Sequence, residues 1–161
     1  MGHRGTGKST TAAWFYLQGN GILADDVCAI RLDEVGNAVV FPSYPQIKLW
    51  QASADLLGIS THQFRRIRPD FDKFGMPLGE QFVDQPLRLA EVVELDLKTE
   101  KELPVEGSAK LRLLVEHSYR YGFIRKMGIQ NSYHQKLLSL APQAKMFRSP
   151  RVNLAKVPTT V

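Results

Sequence analysis

Gly2-His3-Arg4-Gly5-Thr6-Gly7-Lys8-Ser9, at the start of the chain, satisfies G-x-x-x-x-G-K-S, the pattern of a phosphate-binding loop. The chemistry explains the residue types. Backbone N–H groups must curl around phosphate oxygens, through dihedral angles that glycine adopts at low cost. A helix should open at once from such a loop, because its first N–H groups lack intrahelical partners and its positive dipole end favours an anion. Lys8 is then placed to reach the β- and γ-phosphates, and the Ser9 hydroxyl to ligate Mg²⁺. The expected nucleotide-binding set is Gly2, His3, Arg4, Gly5, Thr6, Gly7, Lys8, Ser9 and Thr10. A loop of this kind hangs from the carboxyl end of a buried strand, and here only Met1 precedes Gly2. The expectation is a single domain over residues 1–161, truncated at its amino end so that the strand before the loop is missing.

Outward from the loop, residues 8–18 (KSTTAAWFYLQ) are rich in helix formers and meet Gly19 as a stop. The segment is apolar nearly all round, which predicts a helix packed on a sheet, with Trp14, Phe15 and Tyr16 as core. Residues 22–32 (ILADDVCAIRL) and 38–41 (AVVF) flank the turn set 33–37 and predict strand–turn–strand. Residues 43–50 read as extended around Pro45, 51–57 as a short helix ended by Gly58, and 60–86 as an ordered loop region with a helical turn near residues 62–66. Near-alternation over 87–97 predicts a strand with its odd positions buried. Ser108 is expected to cap a helix through about residue 121, and a second helix is expected near 131–141. A short strand (KMFR) and a helical turn near 153–157 follow. Together these predict an α/β fold, a P-loop-containing mixed β-sheet flanked by helices.

The second chemical constellation is Asp25-Asp26, which follows Ile22-Leu23-Ala24. Side chains on a regular strand alternate in direction, so adjacent aspartates share a site only at a strand edge or bulge. Placed there, one can hold Mg²⁺ while the other takes the proton of an attacking hydroxyl. Close like charges also push their two pKa values apart. Positive charge for a transferring phosphoryl group has candidates in Lys48, Lys73 and the cluster Arg65-Arg66-Arg68, with Lys73 preferred. Trp50 and Tyr44 are placed to flank a base. His3 sits inside the loop, while His62, His117 and His134 have no ligand spacing. Cys28, the sole cysteine, reads as inert packing in a strand.

A P-loop, one helix and then LADDVCAI resembles the carboxyl-terminal catalytic domain of the HPr serine kinase family, and FPSYPQIKLW and KFGMPL are similar to segments of the looser HPr-kinase-like group. The likeness is strongest over residues 2–57. It implies a kinase that uses ATP and Mg²⁺ to phosphorylate a serine of a protein or peptide, and a family that often assembles into rings; the single cysteine separately suits a cytoplasmic setting. On that analogy Lys8 and Ser9 hold phosphate and metal, Asp25 and Asp26 supply base and metal contact, and Ser9, Asp25 and Asp26 form the metal set. Lys73 completes the catalytic group. Thr10 stands where the family has an acidic residue, and KLWQASADLLG stands where its E-I-R-G segment belongs. These departures count against HPr itself as the acceptor and against the reverse phosphorylase reaction. The alternatives are a non-catalytic nucleotide-binding regulatory module and an ATP-dependent small-molecule kinase.

Composition narrows the field further. The chain has 161 residues, 43% hydrophobic and 23% charged, as in ordinary globular domains. It lacks the apolar run of a membrane span and the apolar middle of a secretory signal. One cysteine permits no internal disulfide, which suits a reducing compartment. The net charge of +5 is uneven: residues 117–161 contain eight Lys and Arg and no Asp or Glu. No RNA-binding aromatic signature or continuous basic helix accompanies that charge, so a solvated face, or a docking face for an acidic protein or peptide partner, is expected before nucleic acid.

Overall fold

The computed structural model describes residues 1–150. It is a mixed α/β structure of helices and three small three-stranded sheets, falling into two compact units that interleave along the sequence.

The unit formed by Gly7–Ala29 and Phe41–Pro86 begins with helix α1 (Lys8–Leu17), within a residue of its expected span. Gly7 takes the cap position at φ 93°, a left-handed conformation that suits a residue without Cβ. Only Thr10 and Ala13 of α1 are buried. Phe15, expected in the core, is 45% exposed. The reason is geometric: the helix packs one side, through Ala12, Ala13 and Tyr16, into the cluster of Ile47, Leu49, Met76 and Leu78, which leaves Phe15 on the other side. Strand β3 (Gln46–Trp50) alternates buried Ile47 and Leu49 with half-buried Lys48, as period 2 requires. Helix α2 (Gln51–Leu56) follows directly.

The expectation of a loop over 60–86 fails. Strands β4 (Arg65–Arg68) and β5 (Phe71–Pro77) form a hairpin there, and β5 is the centre of an antiparallel sheet in the order β3-β5-β4. Charge concealed it: all four β4 residues (RRIR) are exposed, so no apolar alternation marks the strand. The proposed continuous strand over 22–32 also fails. Ile22 makes an isolated parallel bridge to Phe82, the chain bends at Asp25-Asp26, and regular strand resumes only at Ala29. Two short polar side chains that compete for backbone hydrogen bonds favour such a bend.

The unit formed by Met1–Thr6, Ile30–Val40 and Leu87–Pro150 holds β1 (Ala29–Leu32), β2 (Ala38–Phe41) and β6 (Leu87–Arg88) in the order β1-β2-β6. The expected turn over 33–37 joins β1 to β2, with Asp33 Oδ1 accepting from the Val35 and Asn37 amides. Strands β7 (Glu91–Leu95), β8 (Leu103–Pro104) and β9 (Lys145–Ser149) make the third sheet, in the order β7-β9-β8, parallel between β7 and β9. Helices α3 (Ser108–Glu116) and α5 (Gln130–Leu140) cover it with Leu113, Leu114, Leu137 and Leu140, against Val92 and Met146. Gly107, not Ser108, holds the cap position of α3. Helix α3 ends at Glu116 rather than near residue 121, and Arg120, in the left-handed region at φ 52°, precedes the short helix α4 (Tyr121–Lys126), which the sequence reading did not give. The burial of β7 also departs from the expected alternation: Val92 and Glu94, both even positions, are buried, as is Leu95, while Glu91 is exposed and Val93 half-buried. The turn expected near 153–157 lies outside the described residues. Among those residues, no helix is long and apolar enough to cross a membrane.

Leu49 is fully buried at the centre of its cluster. Leu49→Ala is therefore expected to cost about 2–5 kcal/mol, while volume-conserving Leu49→Met should cost less than about 1.5 kcal/mol. Urea unfolding at constant slope is the measurement.

Candidate functional site

Sheet edges leave backbone donors unpaired, and β3 is an edge. Its Lys48 amide finds its acceptor in a side chain: Asp25 Oδ2, at 2.9 Å. The Lys48 side chain reaches the neighbouring aspartate, with Nζ 2.8 Å from Asp26 Oδ2. One residue thus anchors both acids of the doublet, and the bend at Asp25-Asp26 gives the two carboxyls different surroundings. This satisfies the condition that adjacent aspartates share a site only where regular strand is broken.

Those surroundings act on the two groups in opposite directions. Burial pushes the Asp25 carboxyl above the usual carboxylate range; the Lys48 amide, the Ser9 hydroxyl and Lys73 oppose this, and the Asp26 charge reinforces it. Asp25 Oδ1 is buried without a hydrogen bond. The Lys48 ammonium holds Asp26 below the usual range, with smaller help from the charges of Lys73 and Lys8. Lys48 is correspondingly raised, first by its bond to Asp26.

The expected residues Lys8, Ser9, Asp25, Asp26 and Lys73 therefore act electrostatically on one another within one unit. Lys73 pairs with Trp50 across β5 and β3, and its ammonium lies 5.6 Å from the centre of the Trp50 ring, a cation–π distance. The Thr10 hydroxyl is buried and donates to Ser53 Oγ at 3.0 Å, so it is engaged within the unit. Tyr44 and Trp50 are both well exposed. Arg66 is engaged by Asp72 at 2.8 Å and sits over the Phe74 ring, so one member of the arginine cluster is structural. Cys28 is exposed rather than strand core, because β1 starts one residue later.

Gly2 to Thr6 belong to the other unit. A Cβ on Gly2 would lie 2.8 Å from the Leu95 carbonyl oxygen and 2.7 Å from Thr6 Oγ1, and its φ is 145°, so glycine is required on both counts. Thr6 Oγ1 donates to the His3 carbonyl at 3.0 Å, folding this part of the loop back on itself. Met1 donates to Val93 O and accepts from the Leu95 amide, the two-bond spacing of a parallel rung opposite Glu94. The residue preceding the loop thus runs parallel to β7.

Sequence reasoning weighed Lys48 only as a phosphate ligand and missed that it positions both aspartates. It also missed Glu94. Though only 5% exposed, Glu94 is bonded through Oε1 to His117 Nε2 at 2.9 Å and through Oε2 to Arg148 Nε at 2.7 Å. Burial alone would raise Glu94, but these two partners outweigh it and leave the carboxyl below its usual range. The available signal was a charged residue inside an apolar strand, EVVEL. His134 is engaged by the Tyr121 hydroxyl at 2.6 Å.

No family model, curated protein or solved structure matches the chain.

Lys48→Met is expected to return the Asp26 carboxyl upward toward its ordinary value near 3.9, as followed by carbon-detected NMR titration. Because the folded-state pKa of Asp26 is depressed, its contribution to stability is present above the unfolded value and lost as pH falls through the folded one. Side-chain exposures of 35% and 51% in this pair limit the loss at neutral pH to about 1 kcal/mol or less.

Proposed function

We propose that the chain is an ATP- and Mg²⁺-dependent kinase of the HPr-kinase-like type, which transfers the γ-phosphoryl group to a serine hydroxyl of a protein or peptide. The observation that carries this reading is the carboxyl doublet fixed by the two nitrogens of Lys48 beside the first turn of α1, with one buried carboxyl oxygen left without a hydrogen bond. A buried, incompletely bonded carboxylate lowers stability, and such groups concentrate where chemistry is done.

The donor set fits a nucleotide–Mg²⁺ complex. A hard cation takes oxygen ligands, which Ser9 and Asp26 supply. Bound there, it would neutralise phosphate charge. The α1 amino end has no side-chain cap, which suits an anion. Lys8, Lys48 and Lys73 supply the positive charge that a transferring phosphoryl group requires. Asp25 is the base in this reading: its environment raises its affinity for a proton, the property needed to accept one from an attacking hydroxyl. Trp50, steadied by Lys73 and set edge-on to Phe71, offers an exposed ring for the nucleotide base. The resemblance to the HPr kinases over residues 2–57 points to the same chemistry. The acidic protein or peptide expected from the basic carboxyl-terminal third is the acceptor class.

Asp25→Asn keeps an acceptor for the Lys48 amide and removes the base. It is expected to leave binding of a non-hydrolysable ATP analogue within about threefold and to reduce phosphoryl transfer into serine peptides by about 10²–10⁴. Lys8→Ala should instead weaken analogue binding itself. A wild-type chain that binds the analogue but transfers nothing to peptide, protein or metabolite acceptors would favour the regulatory-module reading. One that binds no nucleotide would overturn the proposal.

A further inference from the structure

Three side chains converge within the unit that holds β7 and α3; His3 also belongs to the expected phosphate loop, but there its main-chain N–H is the group used, which leaves the imidazole ring for another role. His3, Glu94 and His117 each offer a ligand atom, and the three atoms lie within 4.8 Å of one another. The His3 and His117 rings are 5.1 Å apart and tilted by 56°, so they are not stacked. His117 Nε2 faces Glu94 Oε1 at 2.9 Å, and His3 Nε2 faces Glu116 Oε1 at 2.9 Å. The His117 and Glu94 side chains are only 8% and 7% exposed, whereas His3 is 68% exposed. Arg148 grips the second oxygen of Glu94 at 2.7 Å.

From this arrangement we infer that His3, Glu94 and His117 bind a divalent transition metal of the zinc class. The ligand chemistry selects the metal: two imidazoles and one carboxylate suit zinc, cobalt or nickel, whereas Mg²⁺ and Ca²⁺ take oxygen shells. Three protein ligands leave a fourth position open to water or an exogenous ligand. A tetrahedral zinc centre with bonds near 2.0–2.1 Å needs ligand atoms about 3.3 Å apart. The existing cluster is within a small closure of that, and the exposed His3 ring is the member placed to move. The support behind the ligands is also of the right kind. Arg148 fixes the orientation of Glu94 as an outer hydrogen-bond partner does at metal centres; β7 carries Glu94, and His117 sits at the cap position that closes α3. His3 lies in the segment Gly2–Thr6, so metal would tie that segment to β7 and α3. The site stands independently of the phosphoryl-transfer reading.

The test is titration of the full chain, without nucleotide, with Co²⁺. The expected result is one equivalent bound with the visible absorption of a low-coordinate cobalt centre, displaced by Zn²⁺ and unaffected by millimolar Mg²⁺. His3→Gln, at an exposed position and checked for folding by circular dichroism, should weaken Co²⁺ binding by at least the 10–100-fold typical of losing even an outer partner. His62→Gln should leave it unchanged. His117→Gln, checked for folding by circular dichroism, should behave like His3→Gln. No bound cobalt, affinity unchanged in His3→Gln, or displacement by Mg²⁺ would each overturn the site.

Discussion

The candidate site depends on what becomes of one backbone N–H. Strand β3 lies at the edge of its sheet, and its Lys48 amide would face water were it not taken by Asp25. That bond draws the chain after Ile22 out of strand geometry and into the bend, and so sets where both carboxyls lie. Lys48 then uses its side chain to hold the second carboxyl. An edge strand ordinarily invites pairing with another chain. Here its open donor is spent on positioning an acid, and burial of the alternate residues Ile47 and Leu49 keeps β3 in the register that presents it.

The elements legible in the sequence were those whose local chemistry and burial agree. Helix α1 begins directly after the glycine-rich segment, and β3, α2 and β9 follow from extended, helical and apolar runs within a few residues of their expected limits. The hairpin of β4 and β5 was illegible because hairpin pairing is a relation between two segments. Its outer strand, RRIR, buries nothing and carries only charge. The strand over 22–32 was overread for the opposite reason. Its composition is right for a strand, but Asp25 and Asp26 interrupt it, and their bonding to Lys48 lies more than 20 residues away. Arg120 adopts a positive φ without being glycine, so the boundary between α3 and α4 had no sequence mark.

The same distinction separates the readable part of the site from the rest. Lys8, Ser9 and the acidic doublet announce themselves through motif and spacing, and Lys73 through its place in KFGMPL. The dual role of Lys48 does not, since it requires knowing that β3 is an edge and that position 48 turns its amide outward. Nor does Glu94, whose burial contradicts the alternation that made β7 readable at all. A charged residue on the buried side of a strand is an inconsistency between levels, and such inconsistencies collect at functional places.

Asp25 and Glu94 show why burial by itself does not identify the reactive acid. Both carboxyls lose solvent, which raises the proton affinity of each. Glu94 receives His117 on one oxygen and Arg148 on the other, and ends below the usual range. Asp25 receives the Lys48 amide and the Ser9 hydroxyl, both neutral donors, with only a smaller effect from the Lys73 charge; its Oδ1 has no hydrogen bond, and the carboxyl ends above the usual range. The difference lies in the compensation. A carboxylate bonded on both oxygens by a guanidinium and an imidazole has little left to offer a proton, whereas one bonded only by neutral donors, with one oxygen open, retains both the affinity and a lone pair to use it. By that criterion Glu94 is suited to stay ionised and bind cations, and Asp25 is suited to exchange a proton.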